Sequence, residues 1–239
     1  MKINKQSNVY TVVYVAVIVL IVGTALAFTS LSLKDRQQAN IDADKMRQIL
    51  ASAHIASTGD NVITLFREHI TSQPVYDAEG QKISDDAFAV DVAAEASKPA
   101  AERRLPLFVC LGNDNSEKYI IPLYGAGLWG PIWGYIAVDS DGSTVYGAYF
   151  AHQGETPGLG AEIAKPAFSD QFDGKHIFKD GRFLPVTVVK KGMKPQGDED
   201  YVDGISGGTI TSKGVAAMLD NCLQPYRPIL ESLSAKKIR

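Results

Sequence analysis

Residues 105–152 read "LPLFVCLGNDNSEKYIIPLYGAGLWGPIWGYIAVDSDGSTVYGAYFAH". Aromatic and β-branched residues crowd the segments LPLFVCL, KYIIPLYG, PIWGYIAV and STVYGAYFAH, and short turns such as DSDG separate them. A parallel pair of strands needs a long crossover, and there is no room for one here, so these segments read as an antiparallel sheet. A further strand fits GRFLPVTVVK downstream. Helical patterns flank the block on both sides, which makes the fold class α+β, a mainly antiparallel sheet with flanking helices.

Upstream of the strands, KDRQQANIDADKMRQILASAHI sets Ile41, Met46, Ile49, Leu50 and Ala53 at helical spacing, the pattern of an amphipathic helix. A second, short helix fits DNVITLFREHI, with Asp60 or Asn61 as cap and Val62, Leu65, Phe66 and Ile70 as its apolar side. VYDAEGQKI reads as a hairpin with its tip at Asp77 to Gly80, and Lys98 to Arg104, around Pro99, as a charged loop. On the far side, a closing helix is expected from about Ser212 through KGVAAMLDNCLQPY to near Pro225.

Further out, no charged residue occurs between Gln6 and Leu33, and Val9 to Phe28 is almost wholly apolar. That length spans a bilayer core. A cleaved signal is the rival, since Ala25-Leu26-Ala27 resembles a cleavage site, but a signal's apolar core is shorter, about 7–15 residues. A retained anchor is the reading adopted. Lys2 and Lys5 on one side face Lys34, Arg36, Lys45 and Arg47 on the other, so basic residues alone do not orient it. Gly23, Ala25 and Ala27 suit partner helices and lipid equally. The organisation expected is a tail and transmembrane helix over 1–33, a helical and hairpin lead-in over 34–104, and a core over 105–239.

An apolar content of 45% argues against disorder, and a formal charge of −3 argues against a nucleic-acid partner. Cys110 and Cys222 lie in apolar surroundings and read as buried thiols, with a disulfide as the alternative. No metal-ligand spacing and no internal repeat is evident.

Three stretches could carry chemistry. DGISGGTITSKGV (Asp203 to Val215) contains G-x-S-x-G, but the four histidines, His54, His69, His152 and His176, all precede Ser206. A hydrolase elbow requires its base later in the chain, so that match is accidental. A P-loop also fails, because Lys213 has no glycine directly before it and no Ser or Thr after it. What remains is a Gly-rich turn, Gly207-Gly208, feeding a helix start with the hydroxyls of Thr209, Thr211 and Ser212. Such a place suits a phosphate, although a simple Ser/Thr-capped turn explains it nearly as well. In HQGETPGLGAEI (His152 to Ile163), the glycines would let backbone lie flat against a planar ligand, and Glu155 could hydrogen-bond a ring N–H or be a solvated turn residue. LYGAGLWGPIWGYIAV carries Tyr124, Trp129, Trp133 and Tyr135, core residues by default, of which one or two could line a pocket.

Taken together with the anchor, GLWGPIWGYIAV, GETPGLGAEI and DGISGGTITSKGV, in that order, resemble the FMN-binding domain family, most closely its members in sodium-translocating NADH:quinone oxidoreductases of bacterial membranes. Members carry FMN covalently, its phosphate esterified to the last threonine of a Ser-Gly-Ala-Thr-like motif. The corresponding residues here are Ser206-Gly207-Gly208-Thr209, so the resemblance assigns the tether to Thr209, with Gly208 where alanine is commoner. It implies that Glu155, Thr156, Leu159, Gly160 and Trp129 lie near the ring, with Thr211 alongside the motif. No residue of the chain is expected to be catalytic by itself. The resemblance further implies an electron-transfer subunit that relays electrons from NADH toward quinone, coupled to sodium export. Its partners would be a second flavin subunit, an NADH-oxidising subunit, membrane lipid and, during maturation, a flavin transferase. The flavin domain would lie on the periplasmic side of the inner membrane. The alternatives are the flavin subunit of the related ferredoxin:NAD oxidoreductase, or a membrane-anchored binding module without cofactor.

Overall fold

The apolar segment and the amphipathic segment behind it form one continuous helix, α1, Asn8–Ser52, in a computed structural model that describes residues 8–237. Lys2 and Lys5 lie outside the described residues. The most apolar part of α1 has a mean hydropathy of 2.6 and none of it is buried by protein, as suits a span that faces lipid. Within it the hydroxyls of Thr24 and Thr29 donate to the carbonyls of Leu20 and Ala25, at 2.7 and 2.8 Å, so neither hydroxyl is left unsatisfied in hydrocarbon. The chain divides into two units, Met1–Lys45 and Met46–Arg239.

The second unit begins with the last turns of α1, which bury Ile49 and Leu50 completely. A helix α2, Val62–His69, follows and buries Val62 and Phe66. Asn61 precedes it without capping it, since its side chain accepts from Thr58 N instead. Five strands then make the main sheet: β1 (Ile70–Ser72), β2 (Phe108–Leu111), β3 (Glu117–Ala126), β4 (Pro131–Asp139) and β5 (Val145–His152). Their order in space is their order in sequence, and every neighbouring pair is antiparallel. The antiparallel reading therefore holds.

Two apparent strands are each divided at a proline. In LPLFVCL, Leu105–Pro106 joins Val75–Tyr76 in a separate three-stranded sheet, and only Phe108–Leu111 enters the main one. The hairpin tip at Asp77 to Gly80 stands as read, Val75–Tyr76 pairing with Lys82–Ser84. GRFLPVTVVK separates at Pro185 into Arg182–Phe183 and β6, Thr187–Val189, and β6 pairs in parallel with β7, Tyr201–Asp203. Proline has no N–H to give a ladder and constrains the residue before it, so each strand stops there.

The last helices differ from expectation at both ends. Helix α3 runs Thr209–Leu223, starting at Thr209 and not at Ser212, and after a short turn at Gln224–Tyr226 a further helix, α4, spans Arg227–Lys237. Val215, Met218, Leu219 and Leu223 of α3 join Ile121, Leu123, Ile132 and Ile136 of the sheet in one core. Phe150, Phe168 and Phe172 add three rings with centroids 5.0–5.6 Å apart, each burial worth roughly 1.5–3 kcal/mol.

The charged loop at Lys98 to Arg104 is only partly a surface loop. Arg103 is buried, and its guanidinium donates to the carbonyls of Lys98, Ala96 and Asn221 and to Asn221 Oδ1. Glu95 is buried beside it and accepts from Lys98 Nζ and from the Arg104 backbone and side chain. Burial pushes the Glu95 carboxyl up, but these donors outweigh it and hold the group at about 2. Cys110 and Cys222 are buried free thiols; burial raises the first to about 11, so it stays protonated and unreactive at neutral pH.

Candidate functional site

Three connections converge at one end of the sheet: the link between β3 and β4, the loop after β5, and the turn into α3. The turn spans Ile205 to Gly208 and is closed by Gly208 N donating to Ile205 O at 3.0 Å. Gly207 sits in it at φ 78°, a left-handed conformation, and a side chain there would also meet Leu159 Cδ2. The first intrahelical bond of α3 is Ser212 N to Gly208 O, at 2.9 Å, so the N–H groups of Thr209, Ile210 and Thr211 precede it. No acidic residue occupies this first turn.

Its hydroxyls have different fates. Ser212 is buried and accepts from Ile205 N at 2.9 Å, which ties the turn to the helix. Thr211 is 1% exposed and donates to Glu155 Oε2 at 2.5 Å. Thr209 is exposed, and among the described residues none hydrogen-bonds its hydroxyl.

Glu155 is the hub of the site. It is 5% exposed, and its Oε1 accepts from Trp129 N at 2.8 Å while Thr211 holds Oε2. Its own N–H donates to His152 Nδ1 at 3.2 Å. Burial pushes its carboxyl up, yet the Thr211 hydroxyl and the N–H groups of Trp129 and Leu128 hold it below the usual carboxylate range. One side chain thus ties all three connections together, and neutral hydrogen bonds, with a smaller electrostatic pull from His152, keep it ionised. Gly160 is needed beside it, because an added Cβ would collide with Glu155 Oε2 and Thr211 Oγ1.

Trp129, Glu155, Thr156, Leu159, Gly160, Gly207, Gly208, Thr209 and Thr211 all line one cavity of about 370 Å³. Ser206 lies next door, in a cavity of about 380 Å³ that shares Gly207 and Thr209 with the first. Of the aromatic residues singled out, only Trp129 reaches the first cavity, at 68% exposure. Trp133 donates from Nε1 to Gln48 Oε1, Tyr135 is buried in β4, and Tyr124 bonds through its backbone to Cys222 Sγ. Two residues that sequence reasoning passed over, Leu128 and Ile210, complete an exposed apolar rim with Trp129 and Leu159. Ile210 carried a signal, being a large apolar residue between two hydroxyl residues. A flat, largely apolar group fits such a rim, with glycine backbone as its floor and an exposed hydroxyl at its edge.

The family model for the FMN-binding domain matches residues 127–224, a range that holds all of these site residues. The C subunit of the Na(+)-translocating NADH-quinone reductase of Vibrio vulnificus is 36% identical over 217 residues, which cover 84% of this chain and 83% of that protein. The corresponding protein of Vibrio alginolyticus is 34% identical, with 91% of both chains covered. Among solved structures, the crystal structure of the same C subunit from Parabacteroides distasonis is similar with a TM-score of 0.78 and 51% identity, over 83% of this chain and 96% of that one.

Proposed function

Because this chain belongs to the family of Na(+)-translocating NADH-quinone reductase C subunits, we propose that it holds FMN through a phosphoester on Thr209 and relays electrons from NADH toward quinone. It is a subunit of an oxidoreductase complex, it carries an FMN-binding domain, and its one candidate membrane span among the described residues fits a membrane anchor. The relatives favour this reading over a flavin subunit of a ferredoxin:NAD oxidoreductase, and the FMN-binding match favours it over a module without cofactor. A second flavin subunit, an NADH-oxidising subunit, surrounding lipid and a maturation transferase complete the proposal, with the domain on the periplasmic side.

The contrast between two threonines carries the assignment. Both are near the cavity, but Thr211 is buried with its proton committed to Glu155, whereas Thr209 is exposed and uncommitted at the first position of α3. Bound FMN supplies the redox chemistry, and the protein supplies position and electrostatics. The N-terminal end of α3 would stabilise the single negative charge of a phosphodiester by roughly 0.3–1 kcal/mol. Glu155 keeps the cavity walls fixed by holding three loops at once. Leu128, Trp129, Leu159 and Ile210 supply apolar contact for the ring, and Thr156 borders it. No base lies within hydrogen-bond reach of the Thr209 hydroxyl among the described residues, which supports attachment by a separate enzyme.

Peptide mass spectrometry of the chain made in its native host tests the tether: FMN is expected on the peptide containing Thr209, and an unmodified Thr209 there rejects it.

A further inference from the structure

The cavity behind Thr209 has a different character from the one that the ring would fill. Lys190 and Lys191 enter it from the end of β6, and Lys213 enters it from α3. No Asp or Glu lines it, and among the described residues none of these lysines forms an ion pair. Asp203, just ahead of the turn, has its Oδ1 on Gly192 N. In a chain of net charge −3, three uncompensated cations around one cavity run against the general balance. All three are exposed, and a wall of one sign of charge suits an anion better than a cation. The cavity also presents the exposed hydroxyls of Ser206 and Thr209.

We propose that this cavity is a phosphate site: Lys190, Lys191 and Lys213 form the cationic wall that takes the phosphoryl end of a flavin nucleotide, while the ring lies in the apolar-rimmed cavity on the other side of Thr209. The proposal rests on the reading that Thr209 carries FMN. It goes further, because the phosphoryl group is recognised before any bond to Thr209 exists. The unmodified chain therefore distinguishes FMN from riboflavin, which has the same ring and no phosphate.

The test uses the full chain, produced without a flavin transferase and held in detergent, titrated separately with FMN and riboflavin by flavin fluorescence at low salt. FMN is expected to bind about tenfold more tightly than riboflavin, the size of one charge-assisted contact. In the variant Lys190→Gln/Lys191→Gln/Lys213→Gln the two affinities should fall within about twofold of each other, with riboflavin binding unchanged as the check on folding. Equal affinities in the wild type, no FMN binding, or the same ratio in the variant would each overturn the proposal; the last is the outcome expected if the lysines serve an acidic protein partner. Should the variant lose riboflavin too, added salt on the wild type decides, because an electrostatic preference must narrow as salt rises. The outcome is separable from the tether: FMN found by mass on another residue removes Thr209 and leaves the ratio standing.

Discussion

Glu95 and Glu155 are both buried carboxylates held in the ionised form, one in the lead-in region and one beside the cavity, and their partners differ in kind. Glu95 has cationic partners, Lys98 and Arg104, with Arg103 buried alongside. Glu155 is held by neutral donors, the Thr211 hydroxyl and the Trp129 and Leu128 N–H groups, with only a smaller electrostatic contribution from His152. The first arrangement cancels charge and fastens a loop to the core. The second preserves a negative charge at the wall of the cavity. Both carboxylates fasten loops, but only Glu155 does so without a salt-bridge partner.

The largest expected effect separates the cavity from the rest of the fold altogether. Thr209→Val keeps the shape and removes the hydroxyl, so covalent flavin should vanish from acid-precipitated protein while the thermal midpoint hardly moves. Retained colour on the protein would contradict the assignment. Next, Gly160→Ala drives a methyl into the Glu155–Thr211 contact and should cost on the order of 3 kcal/mol, read as denaturant midpoint. A cost under about 1 kcal/mol would mean that Glu155 is not the hub described.

Glu95→Gln tests the other region and should cost about 2 kcal/mol at neutral pH, a figure lowered for the exposure of Lys98 and Arg104. The sign follows from a folded-state value of about 2 against an ordinary 4.5. The stabilisation is complete above 4.5 and drains away as pH falls toward 2, so the variant should lose that part of the acid dependence. Glu155→Gln sharpens the contrast: stability should fall by only about 1 kcal/mol, while the flavin reduction potential should rise, because removing a negative charge favours the reduced form. An unchanged potential in a redox titration would place the charge out of reach of the ring. Smallest of all, Gly208→Ala brings a Cβ to 3.2 Å from Gly160 N, tight but tolerable, and should cost less than about 1 kcal/mol with flavin attachment kept.

Much of this molecule is readable along the chain, and what escapes has identifiable causes. Strands β3, β4 and β5 announce themselves because their apolar and aromatic residues are contiguous and their turns short. Strand β1 is hidden, since Ile70 completes the helical spacing of α2 and its pairing with Cys110 lies far off in sequence. Pro106 and Pro185 were visible, yet where each half-strand goes depends on partners that local pattern does not specify. Arg103 looks like a solvated charge until Asn221, 118 residues later, supplies its acceptors. At the cavity, the Gly-rich turn and Thr209 were legible from their motif, whereas Lys190 and Lys191 reach the same place only through the parallel pairing of β6 with β7.

The bond from Thr211 to Glu155 joins residues 56 positions apart, and that separation sets a timetable. A ribosome has to deliver the chain past α3 before the loop after β5 has anything to close against. On the proposed reading, cofactor loading is therefore a late event, one that waits for α3 to be delivered and for that loop to close.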